Sequence, residues 1–331
     1  MSERQTLRRI ALIGFGEVGT IFGADLARQG LELATYDILL DAVATRAAML
    51  DRAHAAGVAP RDSLDAAVRG ADLVISAVTA SSSRDVARDA AAWLRAGQLF
   101  LDINSVSPET KRGNARAVEA AGADYVEAAV MAPVPPQRLA VPMLLGGRRA
   151  GALADALKAF GMNATAVAEE IGTASAIKMC RSIMIKGIEA LVVECMFAAR
   201  RFGAEAPVLA SLAKTFPQMG WTDELPDYLV SRVAEHGRRR AAEMREVALT
   251  LAEVGIRPLM ATAAAERQEA LVQQMTDAGV AYPASGTFSW RTLADALAAP
   301  GPAQRSTAGA TGDPSFPGEA SAGGGVRRST A

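Results

Sequence analysis

A glycine-rich turn near the start of the chain constrains the fold more than any other feature. The segment "IALIGFGEVGTIFGADLARQG" (residues 10–30) places Gly14, Gly16 and Gly19 between an apolar run and a helical pattern. The first glycine permits a tight turn, the second lets a phosphate approach the backbone, and the third lets the helix pack closely on the strand. The spacing therefore predicts a strand, a tight turn and a helix whose free N–H groups can bind a pyrophosphate.

The next strand supports a dinucleotide site. The segment "LELATYD" ends in Asp37, which is placed to accept hydrogen bonds from both hydroxyls of an adenosine ribose. A carboxylate there would repel a 2′-phosphate, and Ile38 and Leu39 supply no cation, so we expect NAD to be preferred over NADP. The alternative is an ordinary glycine turn in which Asp37 caps a helix. The expected cofactor contacts are Gly14, Phe15, Gly16, Glu17, Val18, Gly19, Tyr36, Asp37, Ala77, Val78 and Thr79.

The first half of the chain alternates apolar strands with helical patterns. Strands are predicted at residues 8–16, 31–37, 71–78, 98–104, 123–131 and 141–147, and helices at 17–30, 41–57, after the third strand to about 95, and 107–121. Apolar runs without strict alternation fit strands that are covered on both faces. Residues 1–172 are therefore predicted to form a Rossmann domain, an α/β fold with a doubly wound parallel sheet.

After residue 172 the strand patterns stop. A long apolar helix is predicted at 174–201, with further helices at 205–216, 223–234, 237–254, 258–278 and 288–298. Residues 173–299 are thus expected to form an all-α domain. From Pro300 the chain is rich in Gly, Pro, Ser and Ala, so residues 300–331 are predicted to be a disordered tail.

Composition and charge exclude several classes of protein. The chain has 331 residues and a formal net charge of −1 without a long run of one sign, which argues against nucleic acid as a partner. No uninterrupted apolar segment reaches the roughly 20 residues that span a membrane. The histidines (His54, His236) and cysteines (Cys180, Cys195) lack metal-ligand spacing. We expect a cytoplasmic protein that acts on a small molecule and holds no metal.

The first half of the predicted long helix contains the segment "SAIKMCRSIMIKG" (residues 175–187), in which cationic residues lie among apolar ones. Helical spacing places Lys178, Arg181, Ser182 and Glu189 on one stripe, expected to face the cleft between sheet and helices. A desolvated lysine beside an arginine has a lowered pKa and can exchange a proton with a substrate. Lys186 lies beside the stripe and is expected to pair with Glu189. The alternative is that all these charges form structural ion pairs between domains.

Two further segments complete a pattern of four ordered motifs: "DINSVSP" (residues 102–108), and "APV" (residues 132–134). Their order resembles that of the β-hydroxyacid dehydrogenase superfamily, which includes 3-hydroxyisobutyrate dehydrogenase and 6-phosphogluconate dehydrogenase, over roughly residues 8–200. The resemblance implies hydride transfer between a nicotinamide cofactor and the hydroxyl carbon of a β-hydroxy acid or related alcohol, with Lys178 as catalytic acid/base. The expected substrate contacts are Asn104, Ser105, Ala132, Pro133, Val134, Arg181 and Ser182.

The chain departs from the superfamily at two places. The usual Ser-Gly-Gly after "APV" gives way to Pro135 and Pro136, so at least part of the set of backbone N–H groups that helps hold a carboxylate is missing. A pair of asparagines is replaced by Arg181 and Ser182, and the arginine is a candidate to restore the anion contact. We therefore expect a substrate other than hydroxyisobutyrate.

Other interpretations stay open. An imine reductase shares this architecture but generally lacks the lysine. A non-catalytic dinucleotide sensor would not need Lys178 together with Asn104 and Ser105. The segment "EHGRRRAAEMREV" (residues 235–247) is most simply a solvated helix face, and alternatively His236, Arg239 or Arg240 reaches a substrate anion. The helical half looks like a poorly characterised branch of the superfamily. Its apolar helices favour a homodimer or larger homo-oligomer.

Overall fold

The computed structural model describes residues 7–284 and 286–298. Eight strands form one sheet in the order β3-β2-β1-β4-β5-β6-β7-β8. All neighbouring pairs are parallel except β6 with β7, which are antiparallel. The strands are β1 (Arg9–Ile13), β2 (Glu32–Tyr36), β3 (Ala59–Pro60), β4 (Leu73–Ser76), β5 (Leu99–Asp102), β6 (Asp124–Val130), β7 (Met143–Gly146) and β8 (Ala164–Ala168).

Helices cover both faces of the sheet. They are α1 (Glu17–Ala27), α2 (Val43–Ala55), α3 (Leu64–Val68), α4 (Ser83–Ala91), α5 (Pro108–Ala120), α6 (Val134–Gln137) and α7 (Ala150–Lys158). Successive residues of a strand point to opposite faces. Accordingly Leu12 and Ile75 belong to one apolar core, while Ile13 and Val74 belong to another. The central strands β4 and β5 are buried along their whole length, as expected for a doubly wound sheet.

The second half of the described chain is helical. It consists of α8 (Thr173–Arg201), α9 (Glu205–Thr215), α10 (Leu225–Glu253), α11 (Leu259–Asp277) and α12 (Trp290–Ala298). Helices α8, α10 and α11 pack against each other around Met179, Met244 and Val247. The predicted class, a Rossmann domain followed by an all-α domain, is confirmed. Within the described residues no helix is both long and apolar enough to cross a membrane.

The structure corrects the predicted elements in several places. The helices predicted at 223–234 and 237–254 are one helix, α10, and Gly237 lies inside it. A Cβ on Gly237 would lie 2.5 Å from the carbonyl oxygen of Gln268, so this glycine serves the close approach of α11 rather than a break. The sheet is not wholly parallel, because β7 runs against β6. Elements α3, α6, α7, β3 and β8 were not predicted, and the predicted disordered tail lies outside the described residues.

A buried carboxylate joins the sheet to the long helix α8. Glu127 of β6 accepts hydrogen bonds from the backbone N–H groups of Gly172, Ala174 and Ser175, at 2.6, 3.0 and 3.3 Å. The first N–H groups of a helix have no partner within the helix, and a negative charge near them is stabilising. Glu127 thus fixes the start of α8, five residues before Lys178.

The C-terminal half of α10 meets the start of α5. Glu246 accepts a hydrogen bond from the Ser107 N–H at 2.8 Å, and Glu253 accepts from the Glu109 N–H at 3.1 Å. Arg112 adds an ion pair with Glu253 at 3.1 Å. These contacts hold α10 beside the segment that follows β5, which contains Asn104 and Ser105.

Candidate active site

The predicted cofactor residues lie together at the carboxyl ends of β1, β2 and β4. The connection from β3 to β4 crosses to the other side of β1, and such a switch point is where doubly wound sheets bind dinucleotides. The N–H of Gly14 donates to the carbonyl of Tyr36 at 2.9 Å, and the N–H of Ala77 donates to that of Ile13 at 2.8 Å. The segments that follow β1, β2 and β4 are therefore joined by backbone hydrogen bonds and form one surface.

The three motif glycines have the surroundings that a dinucleotide requires. Gly14 has φ +88°, and an added Cβ would lie 2.5 Å from the carbonyl oxygen of Ala77. A Cβ on Gly19 would collide with the carbonyl of Gly14, where α1 packs on the turn. Gly16 is exposed at the N-cap of α1, and beyond its chain neighbours no atom lies within 4 Å of where its Cβ would be. Space thus remains beside the first N–H groups of α1, including those of Glu17 and Val18, for a pyrophosphate.

Asp37 connects β2 to the glycine turn. Its carboxylate accepts hydrogen bonds from the N–H of Phe15 at 2.7 Å and of Leu39 at 2.9 Å. The second bond caps the short 3₁₀ helix Ile38–Leu40, so the capping role considered from the sequence is real. Each carboxylate oxygen can accept more than one hydrogen bond, which leaves capacity for a ribose hydroxyl. Ile38 and Leu39 beside it are exposed and apolar.

Asn104 is buried and its amide points toward the cofactor loop. Its Oδ1 accepts a hydrogen bond from the Val78 N–H at 2.7 Å, and its Nδ2 donates to Ser76 Oγ at 2.9 Å and Ser83 Oγ at 3.3 Å. The side chain thereby fixes the loop Ala77–Val78–Thr79 against the end of β5. Its predicted contact with substrate stays a prediction.

A buried ionic network lies beneath this loop, and the sequence analysis missed it. Lys111 Nζ donates to Asp102 Oδ1 at 2.9 Å, while Asn114 Nδ2 and Tyr125 Oη donate to Asp102 Oδ2 at 2.9 and 2.7 Å. Burial opposes ionisation of Asp102, but Lys111 and these donors hold its pKa below the usual range. The N–H of Asn104 also donates to Asp102 Oδ1, at 2.9 Å. The sequence alone gives no indication that a polar residue on a helix, such as Lys111, is buried.

Lys178 of the long helix α8 contacts Ser105 of the segment that follows β5. Lys178 lies in the second turn of α8, Ser105 follows β5, and both are half-buried. The Nζ of Lys178 donates to the Oγ of Ser105 at 2.5 Å. Burial lowers the pKa of Lys178 to about 8; the carboxylate of Glu243 opposes this shift, and the charges of Lys186 and Lys111 reinforce it. Neutral and protonated amine therefore coexist near neutral pH.

The predicted pairing of the other α8 charges is wrong. Lys186 forms its ion pair with Glu243 of α10, and Glu189 forms its own with Arg240, including a 2.7 Å bond from Arg240 Nε. All four belong to the packed faces of α8 and α10, which favours the structural role considered for Lys186 and Glu189. Ser182 is buried and accepts a 3.5 Å hydrogen bond from Lys186.

Arg181 does not share these buried surroundings. Its side chain is exposed, and among the described residues no hydrogen bond or ion pair involves it. The single stripe predicted for Lys178, Arg181, Ser182 and Glu189 is therefore wrong at Arg181. Its contact with a substrate anion stays a prediction.

The "APV" segment lies at the carboxyl end of β6, on the same edge of the sheet as Ser105. Ala132 is half-buried, Pro133 is exposed, and Val134 is buried as the first residue of α6. Pro135 and Pro136 are exposed in the first turn of α6 and offer no N–H. A role of this segment in binding substrate stays a prediction.

The three cationic residues considered in α10 differ in their surroundings. His236 lies 3.2 Å from a carboxylate oxygen of Glu235, and burial lowers its pKa. Arg240 is engaged by Glu189. Arg239 is exposed. In the described part of the chain, no group of three His, Cys, Asp or Glu side chains is arranged to hold a metal ion.

Two family models match separate parts of the chain. Residues 9–172 match the NAD-binding domain of 6-phosphogluconate dehydrogenase, and residues 199–271 match a domain of unknown function, DUF1932. A crystal structure of a conserved hypothetical protein from Sinorhizobium meliloti 1021 has 40% identity and a TM-score of 0.72, with 89% of this chain and 97% of that chain covered.

Two further relatives have a described relationship or activity. Conserved protein MTH1747, whose structure shows similarity with 3-hydroxyacid dehydrogenases, is 34% identical with a TM-score of 0.64, over 79% of this chain and 96% of its own. The mitochondrial 3-hydroxyisobutyrate dehydrogenase of Drosophila melanogaster is 24% identical over 230 residues, which cover 68% of each chain.

These similarities confirm the resemblance inferred from the motifs. They support an oxidoreductase that uses a nicotinamide cofactor, and they leave the choice between NAD and NADP to experiment. The chain belongs to the β-hydroxyacid (3-hydroxyacid) dehydrogenase superfamily, in a branch that joins the NAD-binding domain of 6-phosphogluconate dehydrogenase to a DUF1932 domain.

Proposed function

We propose that the protein is an NAD-dependent dehydrogenase that oxidises the hydroxyl carbon of a 3-hydroxy acid or related alcohol, with Lys178 as the general acid/base. One observation supports this above the others: the Nζ of Lys178 lies 2.5 Å from the Oγ of Ser105, one residue after Asn104, which binds the cofactor loop at Val78. A general base must lie within hydrogen-bond reach of the proton it removes and must have a pKa near the working pH.

In the proposed oxidation the substrate loses one proton and one hydride. The neutral amine of Lys178 accepts the proton of the substrate hydroxyl, and the adjacent carbon loses a hydride to become a carbonyl. NAD⁺, when bound at the glycine turn, would accept this hydride. Ser105 holds the amine and the hydroxyl oxygen in line, and in the reducing direction protonated Lys178 returns the proton.

The preference for NAD is part of the proposal. The carboxylate of Asp37 would accept hydrogen bonds from the ribose hydroxyls and repel a 2′-phosphate. The cofactor contacts are proposed to be the backbone of residues 14–19, Tyr36 and Asp37, and the loop Ala77–Val78–Thr79.

The substrate is proposed to lie between the "APV" segment and α8. Asn104 would act by fixing the loop at Val78, while Ala132, Pro133 and Val134 line the cleft. Arg181 and Ser182 stand where superfamily members often carry asparagines, and Pro135 and Pro136 remove backbone donors. The substrate is therefore proposed to differ from 3-hydroxyisobutyrate.

Replacing the amine tests the proposal. Lys178→Met keeps the apolar stem, and we expect it to lower turnover of 3-hydroxy acids by about 10²–10⁴-fold, the usual contribution of general acid–base catalysis. NADH affinity, measured by fluorescence, is expected to be unchanged. The exposed Lys158→Met is the matched control. Near-normal turnover by Lys178→Met would refute the role of Lys178. A wild-type protein that binds NADH but oxidises no 3-hydroxy acid would favour the sensor alternative.

A further inference from the structure

Two buried carboxylates lie side by side in the sheet, on the neighbouring strands β5 and β6. Asp102 and Glu127 are register partners on these parallel strands, so their side chains point to the same face of the sheet. Neither residue is exposed to solvent. Burying a carboxylate is costly unless hydrogen bonds or an opposite charge compensate it. The groups that compensate each charge therefore show what each carboxylate holds in place.

Asp102 holds the segment that contains Ser105. Its Oδ1 accepts hydrogen bonds from the Asn104 N–H and from Lys111 Nζ, both at 2.9 Å. The bond from Asn104 closes a turn directly after β5, since an aspartate side chain can bind the backbone two residues further on. Ser105 is the next residue, so this turn determines where its hydroxyl lies.

Glu127 holds the helix that contains Lys178. Its carboxylate accepts hydrogen bonds from the backbone N–H groups of Gly172, Ala174 and Ser175, at 2.6, 3.0 and 3.3 Å. The unpaired N–H groups and the positive end of the helix dipole thus compensate the buried charge. Lys178 lies three positions after Ser175 and therefore on the same side of α8.

The carboxylate of Glu127 is enclosed on its other side by β7. Its register partner there is Gly146. A Cβ on Gly146 would lie 2.6 Å from Glu127 Oε1 and 3.1 Å from Glu127 Cγ, so the missing side chain leaves the room that the carboxylate occupies. A side chain packed this closely has few alternative positions. Glu127 therefore fixes the start of α8 to the sheet with little freedom.

We propose that Glu127 is a positioning residue for the proton transfer at Lys178. It holds α8 so that the lysine amine meets Ser105, whose own segment is held by the register partner of Glu127, Asp102. Because the two carboxylates share a register, the sheet sets the 2.5 Å contact between Lys178 Nζ and Ser105 Oγ. This inference rests on the proposed function, in which Lys178 takes the proton of the substrate hydroxyl.

Glu127→Gln tests the inference through kcat. The variant keeps the size of the side chain, but its NH₂ group cannot accept a hydrogen bond, so the start of α8 should shift. A displacement of about 1 Å can lower a rate by about 10²-fold. We therefore expect kcat for the oxidation of 3-hydroxypropionate to fall by about 10- to 100-fold, while KM and the affinity for NADH change little.

A double-mutant cycle separates positioning from a general loss of structure. In the Lys178→Met background no amine is left to position, so Glu127→Gln should lower the residual kcat by less than about twofold. A purely structural role would lower kcat by the same factor in both backgrounds. Gly146→Ala presses on the carboxylate without removing its charge and should give the same pattern, so the cycle can also be measured if Glu127→Gln fails to fold.

Asp227→Asn is the matched control. Asp227 accepts a hydrogen bond from the N–H of Trp290 at 2.7 Å, so this variant also removes the charge of a carboxylate at the start of a helix, α12. Since α12 contributes no residue to the proposed site, Asp227→Asn should leave kcat unchanged in both backgrounds.

A crystal structure of Glu127→Gln, or of Gly146→Ala, gives a result that needs no turnover. The distance from Lys178 Nζ to Ser105 Oγ should exceed about 3.5 Å, which is beyond hydrogen-bond range. The inference is overturned if this contact is kept, if kcat stays near the wild-type value, or if kcat falls equally in both backgrounds. Loss of the contact, with a wild-type protein that oxidises no 3-hydroxy acid, would keep the placement of Lys178 by Glu127 and refute the dehydrogenase.

Discussion

At the scale of single residues, Lys178 differs from most other lysines of the chain in its partner. Lys111, Lys158 and Lys186 each contact a carboxylate, which stabilises the protonated amine. Lys178 instead contacts a serine hydroxyl, and burial lowers its pKa to about 8. A lysine can serve as a base only where the neutral amine is accessible, and these surroundings provide that condition.

Asp37 gives a second residue-scale prediction. Asp37→Ala should weaken NADH binding by roughly 10- to 100-fold, because charge-assisted hydrogen bonds to the ribose are lost. NADPH binding should change less, since repulsion of its 2′-phosphate is also removed. The gap between the two affinities, measured by fluorescence titration, should therefore narrow. Asp41→Ala, which removes the carboxylate bonded to Tyr36, is the control. Tighter binding of NADPH than NADH by the wild-type protein would contradict the NAD preference.

At the scale of elements, the sequence was sufficient to predict the helices and strands that have a long periodic pattern of apolar residues. The glycine turn, the central strands and α8 were predicted because apolar periodicity and turn residues determine them locally. Gly237 was misinterpreted, because a glycine in a helical pattern also marks close helix packing, and the partner, Gln268, is 31 positions away. The 3₁₀ helices and the two-residue strand β3 have too few residues for a recognisable period.

Prediction of the candidate active site from the sequence has the same limit. Lys178, Ser105 and the cofactor turns could be predicted because each lies within a short motif that is contiguous in sequence. Glu127, Glu243 and Asp102 act through partners that are distant along the chain, and one sequence carries no record of such contacts. The exposure of Arg181 likewise depends on how α8 packs, which its own spacing does not determine.

Gly237 provides the prediction at the scale of elements. Gly237→Ala should destabilise the protein by about 1–3 kcal/mol, because the new methyl group would press on the backbone of α11 and force the helices apart. Gly187→Ala in α8 is the matched control. Its added Cβ would meet no atom within 4 Å beyond its chain neighbours and the backbone of its own helix, so the substitution should stabilise the protein by about 0.5–1 kcal/mol through helix propensity. Urea unfolding measures both. A Gly237→Ala protein as stable as wild type would show that α10 and α11 approach less closely than described.

At the scale of the whole molecule, α8 presents an apolar row to solvent in the single chain. Ile177, Met184 and Leu191 are 42%, 63% and 56% exposed and recur every seven residues. Exposed apolar rows of this kind are typical of interfaces between subunits. These exposed residues of α8 are consistent with the homodimer expected from the sequence, which stays a prediction.

Light scattering tests the assembly. We expect a homodimer or larger assembly at micromolar concentration, and Met184→Glu should shift it toward monomer, since a charge would be buried in the interface. Val43→Glu introduces the same charge at a 94% exposed position of the first domain and should have no effect. A wild-type protein that is monomeric under these conditions would contradict the prediction.

The central claim is that the neutral amine of Lys178 accepts the substrate proton, and the pH dependence of kcat/KM tests it most directly. Because the neutral form is the active base, kcat/KM for oxidation should rise with pH, about tenfold per unit below the pKa of Lys178, and level off above about 8. For the reverse reduction the protonated amine is the acid, so kcat/KM should fall with pH through the same region. In Lys178→Met the residual oxidation should lose this rise. A profile that keeps the same rise in Lys178→Met would show that another group takes the proton.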